Sequence, residues 1–321
     1  MSRRVALVQI ALSLLALGAV IVWATQQDPP SVPHSPADVG WIVIGVMLYA
    51  AATAARAERW RRILLQSGVR VTRADAHSLT TVGYMGNNVL PARAGEVLRV
   101  ILLSRESGDG KRKVAGTIVA ERLLDAIVLA LILVIVVYGI LTSSALPTQR
   151  PLLLAAVGSA LLLLGAAAFQ LVRRHPILAR VRDFIRPLAE APRSLLRPEG
   201  ARLLGVTAGI WAIEAAVYLT VGHAVGLELS AMESLYLVAL TNFFAALPAA
   251  PGSIGTFDAA VLFGTHALGA GAIAISYVVL LRFVLYGPIT LVGLVIVIAR
   301  YGGWSRLAES WRVAKVKSTQ A

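Results

Sequence analysis

NNVLPARAGEVLR, residues 87–99, sets two amides, a proline, a glycine, two arginines and a glutamate inside an otherwise apolar stretch. The apolar run before Pro91, HSLTTVGYMGNNVL, is about 14 residues, and the run after Gly95, EVLRVILLS, about ten. Neither reaches the roughly 20 residues needed to cross about 30 Å of hydrocarbon. Two short helices with a polar break between them read as a re-entrant hairpin over 76–105. Irregular backbone at membrane depth is tolerated only where protein or a water-filled cavity satisfies its N–H and C=O groups, so the polarity of 87–99 marks such a cavity.

The surrounding chain fits that reading. Of its 321 residues 57% are hydrophobic and 15% charged, against about 25% charged in an ordinary soluble domain, and the mean hydropathy is +0.74. Six segments are long enough to cross: about 5–24, 39–55, 114–141, 151–172, 203–222 and 271–299. The first follows a basic start but exceeds a signal-peptide core and lacks a clean small-x-small site, so it is read as a retained span. With the N-terminus inside, 27 of the 30 Lys and Arg residues fall in cytoplasmic segments; Arg150 alone is outside, and Arg122 and Arg282 lie within spans. This asymmetry predicts a multi-pass protein of the cytoplasmic membrane with both termini cytoplasmic. It also accounts for the net charge of +13 without nucleic acid, because the arginines sit between apolar blocks facing an anionic leaflet.

A second broken region, 230–269, reads ESLYLVALTNFFAAL, PAAPGSIG, TFDAAVLFGTHAL. It matches the first: Ser-Leu near the start, Asn midway, Leu-Pro at the tip, then small residues and an acid, with Leu90-Pro91 corresponding to Leu247-Pro248. The expected fold is therefore an all-α integral membrane protein of six transmembrane helices and two re-entrant hairpins in two repeats. The first repeat is 1–141, the second 151–299, and 300–321 is a cytoplasmic tail. Three spans per repeat is an odd number, so the second repeat is inverted. Paired, Pro/Gly-interrupted short segments in corresponding positions point to a transporter's binding site.

Several charged residues bear on chemistry. Arg93, Glu96 and Arg99 are spaced i, i+3 and i+6, so on a helix they share one face; they either hold a phosphate-bearing headgroup or form an ion-pair network anchoring the hairpin. Glu121, Arg122 and Asp125 open the third span, and if it begins near Val114, Asp125 needs a partner. Arg282 lies mid-span, where an arginine costs about 2.5–3.5 kcal/mol on insertion scales; it binds a headgroup or pairs with Glu214 or Asp258. Trp41, Trp211 and Trp304 read as interface anchors.

Enzyme signatures are poor. There is no cysteine, no G-x-S-x-G, and SGDGKRK lacks the pattern of a P-loop. His34, His77, His175, His223 and His266 have no metal spacing, so neither a metal nor a cofactor is expected.

The chain resembles the lysylphosphatidylglycerol synthase transmembrane family, the flippase-like membrane proteins. The resemblance lies in Arg56, Arg59 and Trp60 of RAERW, in NxLPxRxGExxR from Asn88 to Arg99, in ERLLD from Glu121 to Asp125, in PAAPGSIGTFD from Pro248 to Asp258, and in Arg282, across residues 40–300. It implies movement of lipids with polar, anionic or aminoacylated headgroups between leaflets, around a central cavity. The soluble synthase domain of some members is not expected here. The second hairpin departs from the family pattern, reading Gly252-Ser253-Ile254-Gly255 with Asp258 where Gly-Gly-x-Gly and often Glu are the rule. On this reading Arg93, Glu96, Arg99 and Arg282 bind the phosphate and its counter-charges, with Glu121, Arg122, Asp125 and Asp258 in reach. Asn87, Asn88 and Asn242 donate hydrogen bonds, and Pro91, Pro248, Pro251 and Gly252 shape the tips. The partners are then membrane lipids. The alternatives are a membrane-embedded transferase using Glu121, Asp125 or Asp258 as base on a lipid-linked substrate, and an envelope scaffold.

Overall fold

The computed structural model describes residues 35–90, 93–142, 198–245, 251–271 and 273–302. The first and fourth expected spans, Pro91, Pro248, Trp304 and the tail from position 303 on lie outside the described residues. Eight α-helices are described: α1 (Pro36–Gln66), α2 (Arg73–Val89), α3 (Ala94–Ser107), α4 (Lys111–Thr142), α5 (Pro198–Val225), α6 (Ala231–Ala245), α7 (Thr256–Ala267) and α8 (Ile273–Tyr301), with a short 3-10 turn at Pro251–Ser253. No strand occurs among the described residues.

Three of these helices, α1, α5 and α8, are long and apolar enough to cross a membrane. Helix α4, at 32 residues, has the length as well, about 48 Å at 1.5 Å per residue, but carries Glu121, Arg122 and Asp125 in its first half. The outward faces are apolar: Met47 on α1, Leu131, Val134 and Ile135 on α4, and Phe283, Leu291, Val295 and Ile298 on α8 are all exposed.

Helix α1 starts where its sequence says it should. Ser35 Oγ accepts from the Asp38 N–H at 3.1 Å, Asp38 Oδ2 accepts from the Ser35 N–H at 3.0 Å, and Pro36 fills the first turn, where its missing N–H costs nothing. Its end differs from the sequence expectation. The helix continues 11 residues beyond position 55, and Arg56, Arg59 and Trp60, assigned to a cytoplasmic loop by charge counting, are buried inside the bundle. Partners on other helices neutralise these arginines, so the charge does not end the helix. Arg99, counted in the same loop, is buried for the same reason.

Both broken regions form pairs of short helices. In the first, glycines bring the backbones of α2 and α3 into contact: a Cβ on Gly95 would lie 1.9 Å from the Gly83 carbonyl oxygen, and one on Gly86 would lie 2.7 Å from the Gly95 Cα. In the second, a Cβ on Gly264 would meet the Leu237 side chain at 2.5 Å. The two pairs meet at their connections, where a Cβ on Gly252 would stand 3.3 Å from the Asn88 carbonyl oxygen.

The apolar core is in two main parts with an exchange between them. One contains Trp60, Leu79, Met85, Leu98, Leu103 and Val114 from α1–α4, completed by Val297 from α8. The other contains Tyr218, Leu237, Phe257, Tyr277 and Leu281 from α5–α8, completed by Val128 from α4. Helices α1 and α5 make the most extensive pairing, α2 lies along α8, and α6 along α4.

The glycine contact in the first pair generates a test. Gly95→Ala drives a methyl group into backbone that cannot rotate away, and should cost about 3 kcal/mol, at or beyond the upper end of overpacking penalties. Gly205→Ala on α5, with nothing within 4 Å of its added Cβ, should be neutral or slightly stabilising. Thermal unfolding in detergent separates the two, and equal melting temperatures would refute the close packing.

Candidate functional site

A chain of charges, buried except for the half-buried Arg122 and Glu96, runs through the bundle beside the hairpin connections. Arg59 forks onto Asp125, Nη1 to Oδ1 at 2.7 Å and Nη2 to Oδ2 at 3.3 Å, and also donates to Thr207 Oγ1 at 2.8 Å. Its Nη2 lies 3.6 Å from Glu121, whose other oxygen accepts from Arg99 Nη2 at 2.8 Å. Arg122 bridges Glu96 at 3.2 Å and Asp125 at 3.3 Å. Arg56 pairs with Glu214 of α5. Four arginines thus meet four carboxylates contributed by α1, α3, α4 and α5. Of these pairings Arg59–Asp125 is bidentate, the geometry in which guanidinium and carboxylate match most effectively.

Aromatic rings back the guanidinium groups. Arg99 Cζ lies 3.9 Å from the Trp60 ring centroid, and Trp60 Nε1 donates to Thr117 Oγ1 at 3.0 Å. Arg56 faces Trp211 at 5.3 Å and Tyr84 at 5.9 Å, distances at which the ring quadrupole attracts a cation.

Arg282 is held separately. Its Nε donates to Asp258 Oδ1 at 2.7 Å and its Nη2 to Oδ2 at 2.9 Å, while Nη1 donates to the Gly252 carbonyl at 3.0 Å. The rings of Tyr286 and Phe257 stand 4.9 and 5.4 Å away. Asp258 Oδ2 also accepts from the Gly255 N–H at 2.8 Å, closing the first turn of α7. Gly252 and Gly255 have φ of 62° and 86°, values that glycine adopts without steric cost. Arg282 therefore fastens the second hairpin connection to α8. Of the two acids offered by the sequence, Asp258 takes it and Glu214 goes to Arg56.

Against the charge chain lies a cavity of about 120 Å³. Asn87, Asn88, Arg93, Arg122, Asp125, Asn242 and Gly252 line it, and Arg56, Glu214, Tyr49, Tyr84, Trp211 and Tyr286 complete much of its wall. Arg99, Glu96, Glu121, Asp258, Pro251 and Arg282 are not among the lining residues: they buttress the wall through ion pairs or turn geometry. Arg93, Glu96 and Arg99 do not share one helical face. Arg93 caps α3 from outside with a left-handed φ of 54°, so its side chain leaves the helical register and joins the cavity, while Glu96 and Arg99 turn to α4.

Among the amides, Asn88 Nδ2 donates to Thr290 Oγ1 of α8 at 2.9 Å and Asn242 Nδ2 to the Val238 carbonyl at 2.9 Å. Trp211 is buried in the cavity wall rather than at an interface, and Trp41 stacks on His223 with centroids 4.9 Å apart. Tyr49, Tyr84, Trp211 and Tyr286 carried no polar pattern that singled them out as cavity residues. Arg56 was visible only as part of RAERW. No cluster of metal-ligating side chains occurs among the described residues.

The family model described as the lysylphosphatidylglycerol synthase TM region matches residues 7–293. The chain belongs to this family. It is also similar to the UPF0104 membrane protein PH1989 of Pyrococcus horikoshii, 25% identical over 146 residues, which cover 44% of each chain. Less than half of that relative's length is thus matched. The match to the family model spans α1 to most of α8, so both hairpins, the charge chain and Arg282 fall inside it.

The Arg282–Asp258 fork yields a prediction. Arg282→Met strands a largely buried carboxylate and should lower stability by about 3 kcal/mol. Combining it with Asp258→Asn, which removes the stranded charge, should recover most of that loss. The check is a double-mutant cycle by thermal unfolding in detergent, and additive losses would show that the pair does not hold the hairpin.

Proposed function

We propose that this protein carries a polar-headgroup phospholipid between the leaflets of a cytoplasmic membrane, with the headgroup entering the cavity at the hairpin connections. The observation that carries this reading is the cavity itself: a polar chamber walled by the connections of two short helix pairs, in a bundle whose outer faces are apolar. Membership in a lipid-associated membrane family supports it.

The two helix pairs act as re-entrant hairpins of an inverted repeat. Supporting this, α1 and α5 occupy corresponding places and pack on one another, and each hairpin leans on the last described span of the other half, α2 on α8 and α6 on α4. Alternating access then comes from rocking one half against the other about their shared contact, as in other inverted-repeat carriers. Asp125 and Glu214, the carboxylates lining the cavity, are each engaged by arginine. A paired carboxylate is a poor general base, which favours carriage over catalysis.

Two measurements test the proposal. In phosphatidylcholine proteoliposomes containing the purified chain, NBD-labelled phospholipid should cross to the outer leaflet faster than in empty vesicles, read by dithionite quenching. Ala245→Trp, which fills the cavity, should return the rate to about that of empty vesicles while leaving the protein folded. A parental rate in this variant would place the lipid path elsewhere. Separately, single cysteines at Gln66 and Glu228, both exposed, should react with an impermeant thiol reagent from opposite faces of the membrane. Labelling from one face would rule out the inverted arrangement.

A further inference from the structure

Helix α8 is tied to both hairpins, and its ties fall into two groups along its length. Before Gly287, Arg282 grips Asp258 and the Gly252 carbonyl of the second hairpin. Tyr286 stands edge-on to Phe257 with centroids 5.6 Å apart, and Tyr277, Leu281, Val284 and Leu285 belong to the core built with α5–α7. After Pro288 the partners change. Thr290 Oγ1 accepts from Asn88 of the first hairpin at 2.9 Å, a Cβ on Gly293 would lie 2.4 Å from the Met85 Cβ, and Val297 enters the core of α1–α4. The last turn then binds both open ends of that hairpin. Arg300 pairs with Asp75 of α2 and Glu106 of α3, and Tyr301 Oη donates to Glu106 at 3.0 Å.

This change of partners coincides with the weakest point of the helix. Pro288 has no N–H, so the Val284 carbonyl loses the donor that a helix would supply, and sharp bends in helices fall at such residues. Among the described helices, α1 and α5 hold a proline only in the first turn, and α8 alone holds one in its interior. The break is not clamped from outside. A Cβ on Gly287 would touch only Phe283 of the same helix within 4 Å. A second cavity, of about 190 Å³, lies against Val284, Pro288 and Val292, where α1 presents only the small side chains of Ala50, Ala54 and Ala57. Helix α8 can therefore change angle here without overpacking a neighbour.

Helices α1 and α4 also pass both cores, but Arg59–Asp125 locks them to one another and neither has a proline beyond its first turn. They form the frame against which α8 bends. The polar cavity spans the break: Tyr286 and Gly252 on one side of it and Asn88 on the other all line that chamber, and the two hairpin connections meet where a Cβ on Gly252 would stand 3.3 Å from the Asn88 carbonyl oxygen. A change of angle at Gly287–Pro288 thus changes the gap between the connections.

We propose that Gly287–Pro288 is a hinge: the part of α8 before it carries the second hairpin, the part after it carries the first, and bending between them opens and closes the cavity at the hairpin connections. This rests on the carrier reading for the use made of the motion. The bending itself follows from the two sets of ties and the break between them, as in hinges that absorb a conformational change at a few backbone positions.

Bending and transport are measured separately, on the full chain, which has no cysteine of its own. Spin labels at Val279→Cys and Ile298→Cys, both exposed, stand about 28 Å apart on a straight helix at 1.5 Å per residue. In lipid nanodiscs, pulsed electron paramagnetic resonance should give a broad or two-peaked distance distribution for this pair. Adding Pro288→Ala should leave a single narrow peak, because the restored N–H closes the helix. Adding Pro288→Gly should keep the distribution broad, because glycine leaves the backbone free to bend. Without labels, Pro288→Ala should melt no lower than the parent and move NBD-labelled phospholipid about tenfold more slowly, as hinge substitutions do when motion limits turnover; Pro288→Gly should keep most of the parental rate. A parental distribution as narrow as that of Pro288→Ala, or one that Pro288→Ala leaves broad, overturns the hinge. So does a parental rate in Pro288→Ala, or equal slowing by both variants, which would mark Pro288 as a residue of shape rather than of motion. A parent that moves no lipid sinks the carrier reading, and the three distance distributions still decide whether α8 bends.

Discussion

An arginine buried in an apolar bundle is tolerable only beside a carboxylate, and the architecture follows from meeting that condition three times over, at Arg56, Arg59 and Arg99. Arg56 and Arg59 sit one turn apart on α1 and reach acids on two different helices, Glu214 on α5 and Asp125 on α4. Sliding α1 by a turn would strand charges on both, and a lone buried charge costs several kcal/mol. Apolar packing alone could tolerate such a slip. The ion pairs therefore set the register of α1, α4 and α5, and Glu121 extends it to α3 through Arg99.

With the long helices so fixed, the short pairs have one place to go. Gly83, Gly86 and Gly95 let α2 and α3 touch backbone to backbone, and Gly252 lets the second connection approach Asn88. Arg282 then ties that connection to α8 through Asp258 and the Gly252 carbonyl. The cavity is the space left where these connections cannot close against the charged helices. Its polarity comes from the amides and Arg93 of the short helix pairs together with Arg56, Arg122, Asp125 and Glu214 of the long helices.

Much of this was legible in the chain. Polar breaks flanked by runs too short to span announced both helix pairs, and the lone arginine at 282 was visible as a residue needing a partner, a headgroup or one of two acids, of which Asp258 is the one it meets. Other features were hidden because they depend on partners far away in sequence. RAERW reads as a loop when positive charge is counted, yet it opens the last third of α1, because Arg56 finds Glu214, 158 positions downstream. The shared face expected for Arg93, Glu96 and Arg99 assumed a helix through all three. The left-handed φ at Arg93 ends that helix early and sends one arginine to the cavity and another to the core.

By itself, the sequence determined what local composition can determine: an apolar, all-helical chain, the positions of its interruptions, and the residues whose charge is too costly to leave alone. Hydrophobic length and helix-breaking residues act over a few turns, so they can be read from neighbours along the chain. Only the tertiary structure decided which carboxylate neutralises which arginine. Pairing energy depends on separation in space, and glycine contacts and ion pairs brought together residues tens to hundreds of positions apart. Arg93 lies two positions from Gly95 and six from Arg99, yet the pairings made among α1, α3, α4 and α5 leave it outside them.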